Sequence, residues 1–94
     1  MANANVKASS FRIKNVPVSV AAALMGKDPQ YVRIRLQRGL MTVHGEVIGH
    51  ADKCGGRRYN YYISPPLFMD MTGATMEEIA EETRRQGKAR YLNG

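Results

Sequence analysis

The stretch Ser19–Met41, SVAAALMGKDPQYVRIRLQRGLM, decides the fold. It divides at Gly26 into two short helical segments, and the second carries most of the basic residues. Ala22 is followed four residues later by Gly26 and six residues after that by Val32. A small residue lets two helices approach, a glycine tolerates the turn, and a β-branched residue locks the second helix onto the first. That spacing predicts a helix-turn-helix. Ser19 is the expected N-cap of helix 1 over Val20–Met25, and Gly26 its left-handed stop. Asp28-Pro29 predicts the start of helix 2, an aspartate cap before proline at the first helical position. Gly39 ends it, with Arg38 in the last turn.

Beyond Gly39 the periodicity changes from helical to alternating. Thr42–Ala51 and Arg57–Ser64 read as strands joined by a hairpin turn at Asp52-Lys53-Cys54-Gly55-Gly56. In the returning strand Tyr59, Tyr61 and Ile63 share the core face, leaving Arg58, Asn60 and Tyr62 to solvent. A hairpin after the second helix is a wing. Ser64-Pro65-Pro66 caps a short helix over Pro65–Thr72, stopped by Gly73. Thr75 and Glu78 form a capping box for a last helix, Met76–Gln86, with an apolar stripe of Met76, Ile79, Ala80 and Thr83. Lys88–Gly94 is expected to fray, and residues 1–10, without periodicity, to be a loose arm.

Ninety-four residues make one small domain, with little room for an enzyme cleft. The composition, 44% apolar and 23% charged, is that of a globular protein. A single cysteine, Cys54, excludes an intramolecular disulfide framework and suits a reducing cytoplasm. No apolar run is long enough to span a bilayer, and Met1–Ser10 is too polar for a signal peptide. The expected location is therefore cytoplasmic, with no membrane partner.

The net charge of +6 is unevenly spread. Met1–Ser64 holds ten Lys/Arg against Asp28, Glu46 and Asp52, net +7, whereas Pro65–Gly94 holds four against five acids, net −1. A basic half containing the helix pair points to nucleic acid. With Val32 and Leu36 in the core, a turn of about 100° per residue sets Gln30, Ile34, Gln37 and Arg38 opposite, with Arg33 flanking. Glutamine can bond adenine and arginine guanine in bidentate fashion, and Ile34 suits a thymine methyl. A merely solvated helix face is the plainer alternative. Lys53, Arg57 and Arg58 cluster at the hairpin tip, where cations meet phosphates or the minor groove; a solubilising loop is the alternative. Arg35 lies nearer the core side, either reaching a phosphate or covering apolar surface with its stem. The tyrosines Tyr59, Tyr61 and Tyr62 also raise single-strand stacking, but alternation assigns two of them to the core.

Enzyme chemistry finds no foothold. His44, His50 and Cys54 lack the paired spacing of a zinc site, Ser64 lacks a nucleophile setting, and Glu77-Glu78 with Glu81-Glu82 read as solvated helix faces. No cofactor or metal is expected.

Two segments resemble a known family. Tyr31-Val32-Arg33-Ile34-Arg35-Leu36-Gln37-Arg38-Gly39-Leu40 resembles the recognition helix of the MerR and phage-excisionase superfamily, and Arg57–Pro65 resembles its returning wing strand. The run Ile63-Ser64-Pro65, then Leu67-Phe68 and Thr72-Gly73, is similar to small phage and mobile-element proteins of Gram-positive bacteria. Arg35 stands where that superfamily often has an aromatic residue, and the long MerR dimerisation helix has no counterpart, which favours the excisionase-like side. The resemblance covers about Val18–Gly73 and implies a winged helix-turn-helix. The whole chain then reads as mainly α with a β-hairpin, the DNA-binding domain over residues 11–73 followed by a C-terminal helix and tail over 74–94 that the resemblance does not cover. The resemblance implies double-stranded DNA as partner, and helical phase with the basic hairpin tip nominates Gln30, Arg33, Ile34, Gln37, Arg38, Lys53, Arg57 and Arg58 as the contacts. An architectural factor or small transcription regulator is the first expectation. A phage packaging subunit resembling small terminases is the second. The last helix is expected to pack on its own domain, with weak self-association as a further use.

Overall fold

The computed structural model describes residues 13–93, with side chains as far as residue 87. The expected arm over residues 1–10 lies outside the described residues. The first helix, α1 (Val18–Met25), begins two residues earlier than Ser19 suggests. Pro17, with φ −59°, occupies the cap position, and its carbonyl accepts the Ala21 N–H at 2.9 Å. Proline's fixed φ sets the chain up for helix entry, which frees Ser19 for another contact. At the other end Gly26 adopts φ 70°, and the Lys27 N–H reaches back to the Ala22 carbonyl at 2.9 Å. That six-to-one bond closes the helix in a left-handed conformation open to glycine at little cost.

Asp28 then caps α2 (Pro29–Gln37), its carboxylate accepting the Gln30 N–H at 3.1 Å. Val20, Ala21 and Ala22 of α1 are buried against Val32 and Leu36 of α2. The alanines keep the helices close, and Val32 fills the crossing with no exposed surface.

The expected single strand over Thr42–Ala51 is instead three pieces, two short strands and the start of a longer one. Thr42–Val43 (β1) and Glu46–Val47 (β2) pair antiparallel around His44 and Gly45, which have φ 53° and 80°. Two consecutive residues at positive φ form the tight turn that matches strand twist. The longer hairpin follows, Gly49–Lys53 (β3) against Tyr59–Ile63 (β4), in register from Gly49 opposite Ile63 to Lys53 opposite Tyr59. Arg57 and Arg58 fall in its loop rather than in the strand. Along β4 the alternation is as read: Ile63 is buried, Tyr61 and Tyr59 are half-buried, Asn60 and Tyr62 are exposed. The segment before α1 is tied to β4, with the Val16 N–H on the Ile63 carbonyl at 3.1 Å and Asn15 Oδ1 accepting the Ile63 N–H at 2.9 Å.

Ser64 caps α3 (Pro65–Thr72), which ends at Gly73 and puts Phe68 into the core. The Thr75–Glu78 capping box is formed in both directions, at 3.1 and 2.8 Å. It opens α4, which runs over Met76–Asn93, beyond the expected end at Gln86. Ile79 is fully buried in the same core as α1 and α2.

The inward face of α4 is not the stripe expected from apolar residues alone. Thr83 is exposed, while Glu82 is 9% exposed and Gln86 half-buried. Gln86 faces α1, accepting from Ser19 Oγ at 2.7 Å and donating to the Ser19 carbonyl at 3.2 Å. Its amide also donates to Glu82 at 2.9 Å, and Arg85 donates to the same carboxylate. Hydrogen bonds from Arg85 and then Gln86 hold the Glu82 carboxyl below its usual pKa, against the opposing effect of burial. Among the described residues the architecture is thus mixed α/β, with four helices and two small antiparallel sheets. None of these helices is long and apolar enough to cross a membrane.

Candidate nucleic-acid interface

Burying Val32 and Leu36 turns the rest of α2 outward. Gln30, Gln37 and Arg38 are exposed, and Arg33 and Ile34 half-buried, so this set shares the helix's outer side. Arg33 donates from its guanidinium to Gln30 Oε1 at 3.1 Å, one turn away. That bond leaves the guanidinium with most of its donors free and orients both side chains along the helix. Arg38 stands at the C-cap, exposed and with no side-chain partner among the described contacts.

The second group sits on the β3–β4 hairpin. Lys53 closes β3, and Arg57 and Arg58 lie in the loop, all three exposed. The loop is held by the Cys54 N–H on the Arg58 carbonyl and the Arg58 N–H on the Gly55 carbonyl, each at 3.0 Å. These bonds close the loop on itself, and Arg57 and Arg58 within it, like Lys53 beside it, are exposed. α2 packs beside β3, and Gln37 Nε2 donates to the Tyr61 hydroxyl of β4 at 2.7 Å. Helix edge and hairpin therefore form one continuous surface.

Arg35 makes two local contacts. Its guanidinium donates to the Leu40 carbonyl at 3.3 Å and lies 5.2 Å from the Tyr31 ring centre. Lys27, not among the residues singled out by the sequence, places its ammonium 5.1 Å from the same ring. These are cation–π contacts. The four-residue spacing of Lys27, Tyr31 and Arg35 was the available signal for this cluster. The Tyr61 hydroxyl has no comparable signal, because alternation assigns its ring to the core.

Of the three scattered metal-ligand candidates, His44 forms the β1–β2 turn, and His50 contacts Asp52 at 3.3 Å and the Tyr62 ring at 5.4 Å. Cys54 is exposed in the hairpin loop. No group of three or more His, Cys, Asp or Glu among the described residues is arranged to hold a metal ion. Ser64 is occupied in capping α3. Compared with protein-family models, curated proteins and solved structures, the chain matches none.

Proposed function

We propose that this chain binds double-stranded DNA with a sequence preference, as a winged helix-turn-helix in which α2 enters the major groove and the β3–β4 hairpin is the wing. The observation that supports this most is the Gln37–Tyr61 bond, because it makes the polar side of α2 and the basic hairpin parts of one surface. On this reading Gln30, Ile34, Gln37 and Arg38 meet base edges, with Arg33 beside them. Lys53, Arg57 and Arg58 neutralise phosphates or enter the minor groove. Lys27 adds a cation at the start of α2. The net +7 of Met1–Ser64 against −1 for the remainder supports a single DNA-facing half. The resemblance to excisionases suggests an architectural factor or small regulator of a phage or mobile element.

A binding selection from a random duplex library, followed by salt titration on the selected site, tests the reading. With Arg33, Arg38, Lys53, Arg57 and Arg58 engaged, log K should fall with log salt at a slope of about −4 or steeper, near −0.9 per neutralised phosphate. A monomer or dimer in solution accords with this function, whereas a large ring would favour an assembly subunit. A flat salt dependence with no enriched sequence would refute it.

A further inference from the structure

We propose that Tyr61 is a positioning residue that makes Gln37 a reader of adenine. The inference rests on the DNA-binding reading above. Gln37 is exposed at the last position of α2, and Tyr61 is half-buried on β4, its ring 6.0 Å from that of Tyr59. The tyrosine is thus the fixed member of the 2.7 Å hydrogen bond, and the glutamine amide is the member being oriented. A glutamine amide has a donor end and an acceptor end, and unrestrained it turns either toward a base.

In the major groove, adenine offers one acceptor, N7, and one donor, the N6 amino group, while guanine offers two acceptors, N7 and O6. The Gln37 Nε2 carries two hydrogens, and Tyr61 takes one of them. With Tyr61 on the hydrogen that points away from Oε1, what remains for a base is the other N–H and the Oε1 acceptor, side by side. That pair matches adenine. The arrangement that would suit guanine, two N–H groups directed at two acceptors, is removed. Tyr61 also holds the amide in one rotamer before DNA arrives, so less side-chain freedom is lost on binding. The ligand implied at this position is an A·T pair, its adenine edge meeting Gln37.

The test uses the full chain and the duplex it selects, with each base pair changed in turn and binding measured by competition. Tyr61→Phe retains the ring and removes only the hydroxyl. It should reduce discrimination against A·T→G·C at one position by about tenfold, which is ~1.4 kcal/mol. Other positions, the salt slope and the melting temperature should be nearly unchanged, which a merely structural role for the hydroxyl would not produce. Gln37→Ala should remove the preference at the same position, and adding Tyr61→Phe to it should change nothing more. The proposal is overturned if Tyr61→Phe leaves that preference intact, if the two variants affect different base pairs, or if Gln37→Ala alters none. Failure of the DNA-binding reading itself is distinct: the unmodified chain would then show neither an enriched site nor a salt slope.

Discussion

Gly49→Ala should be among the most damaging single-methyl additions this chain can receive. Gly49 opens β3 opposite Ile63, where the two strands come together between the buried Ile48 and Ile63. A Cβ at this position would stand 2.0 Å from the Tyr62 carbonyl oxygen and 2.9 Å from the Ile63 Cα, both of them backbone atoms. Ordinary contact begins near 3.5 Å, so the strands must part by roughly 1.5 Å. The Ser64 N–H to Ile48 carbonyl bond, 2.7 Å long, lies immediately beside the strain and would be broken by such a shift. Overpacking of about 1–3 kcal/mol plus about 1 kcal/mol for the lost hydrogen bond gives roughly 2–4 kcal/mol. For a domain of this size that corresponds to a melting temperature lower by about 10 °C or more. Gly87→Ala is the internal control. It lies inside α4 with nothing within 4 Å of the added Cβ, so it should stabilise by up to about 1 kcal/mol. Thermal melts by circular dichroism compare the three proteins directly. If Gly49→Ala melted within about 2 °C of the unmodified chain, the close strand approach would be refuted as a constraint.

Ile79→Ala should cost about 2–5 kcal/mol, because Ile79 is fully buried. Deleting Thr75–Gly94 should lower the melting temperature further, while an unchanged melt with less cooperative DNA binding would assign α4 to contacts between neighbours. Arg58→Ala should weaken binding to every duplex and reduce the salt slope by about 1, whereas Arg38→Ala should relax preference at particular base pairs by about 1–3 kcal/mol; uniform weakening by both would count against base reading by α2. Glu82 has a pKa below its unfolded value, so the stability it contributes is present at neutral pH. That contribution is lost as pH falls from about 5 downward through the lowered value. Melting temperature followed against pH should therefore fall less steeply on the acid side for Glu82→Gln than for the unmodified chain, and identical acid limbs would refute the pairing with Arg85.

What could be read from the sequence is mostly what a few neighbouring residues decide. Asp28-Pro29, Ser64-Pro65 and the Thr75–Glu78 box each place a cap within three residues of its partner. β4 displays its two faces by simple alternation. The His44-Gly45 turn was equally local but lay inside a run that looked like one strand, and histidine is a less familiar occupant of positive φ than asparagine or aspartate. The α1–α4 seam left no local trace. Ser19 and Gln86 are 67 positions apart, and an apolar stripe cannot reveal that a helix turns Glu82 and Gln86 inward to meet a serine. Hydrophobic periodicity locates apolar burial; polar burial depends on the partner.

The same division runs through the candidate interface. Once Val32 and Leu36 are buried, helical phase alone decides that Gln30, Gln37 and Arg38 face outward. Phase says nothing of how the Gln37 amide is turned, because its partner is a hydroxyl 24 positions away on another element. Charge and helical phase supply an outward polar and basic surface, and both belong to α2 and the hairpin loop separately. On the proposed reading, preference for one base at Gln37 belongs to neither element alone. Transplanting α2 onto another helix pair would carry its cations and its outward glutamines, but should return the amide its freedom and, with it, tolerance of guanine at that position.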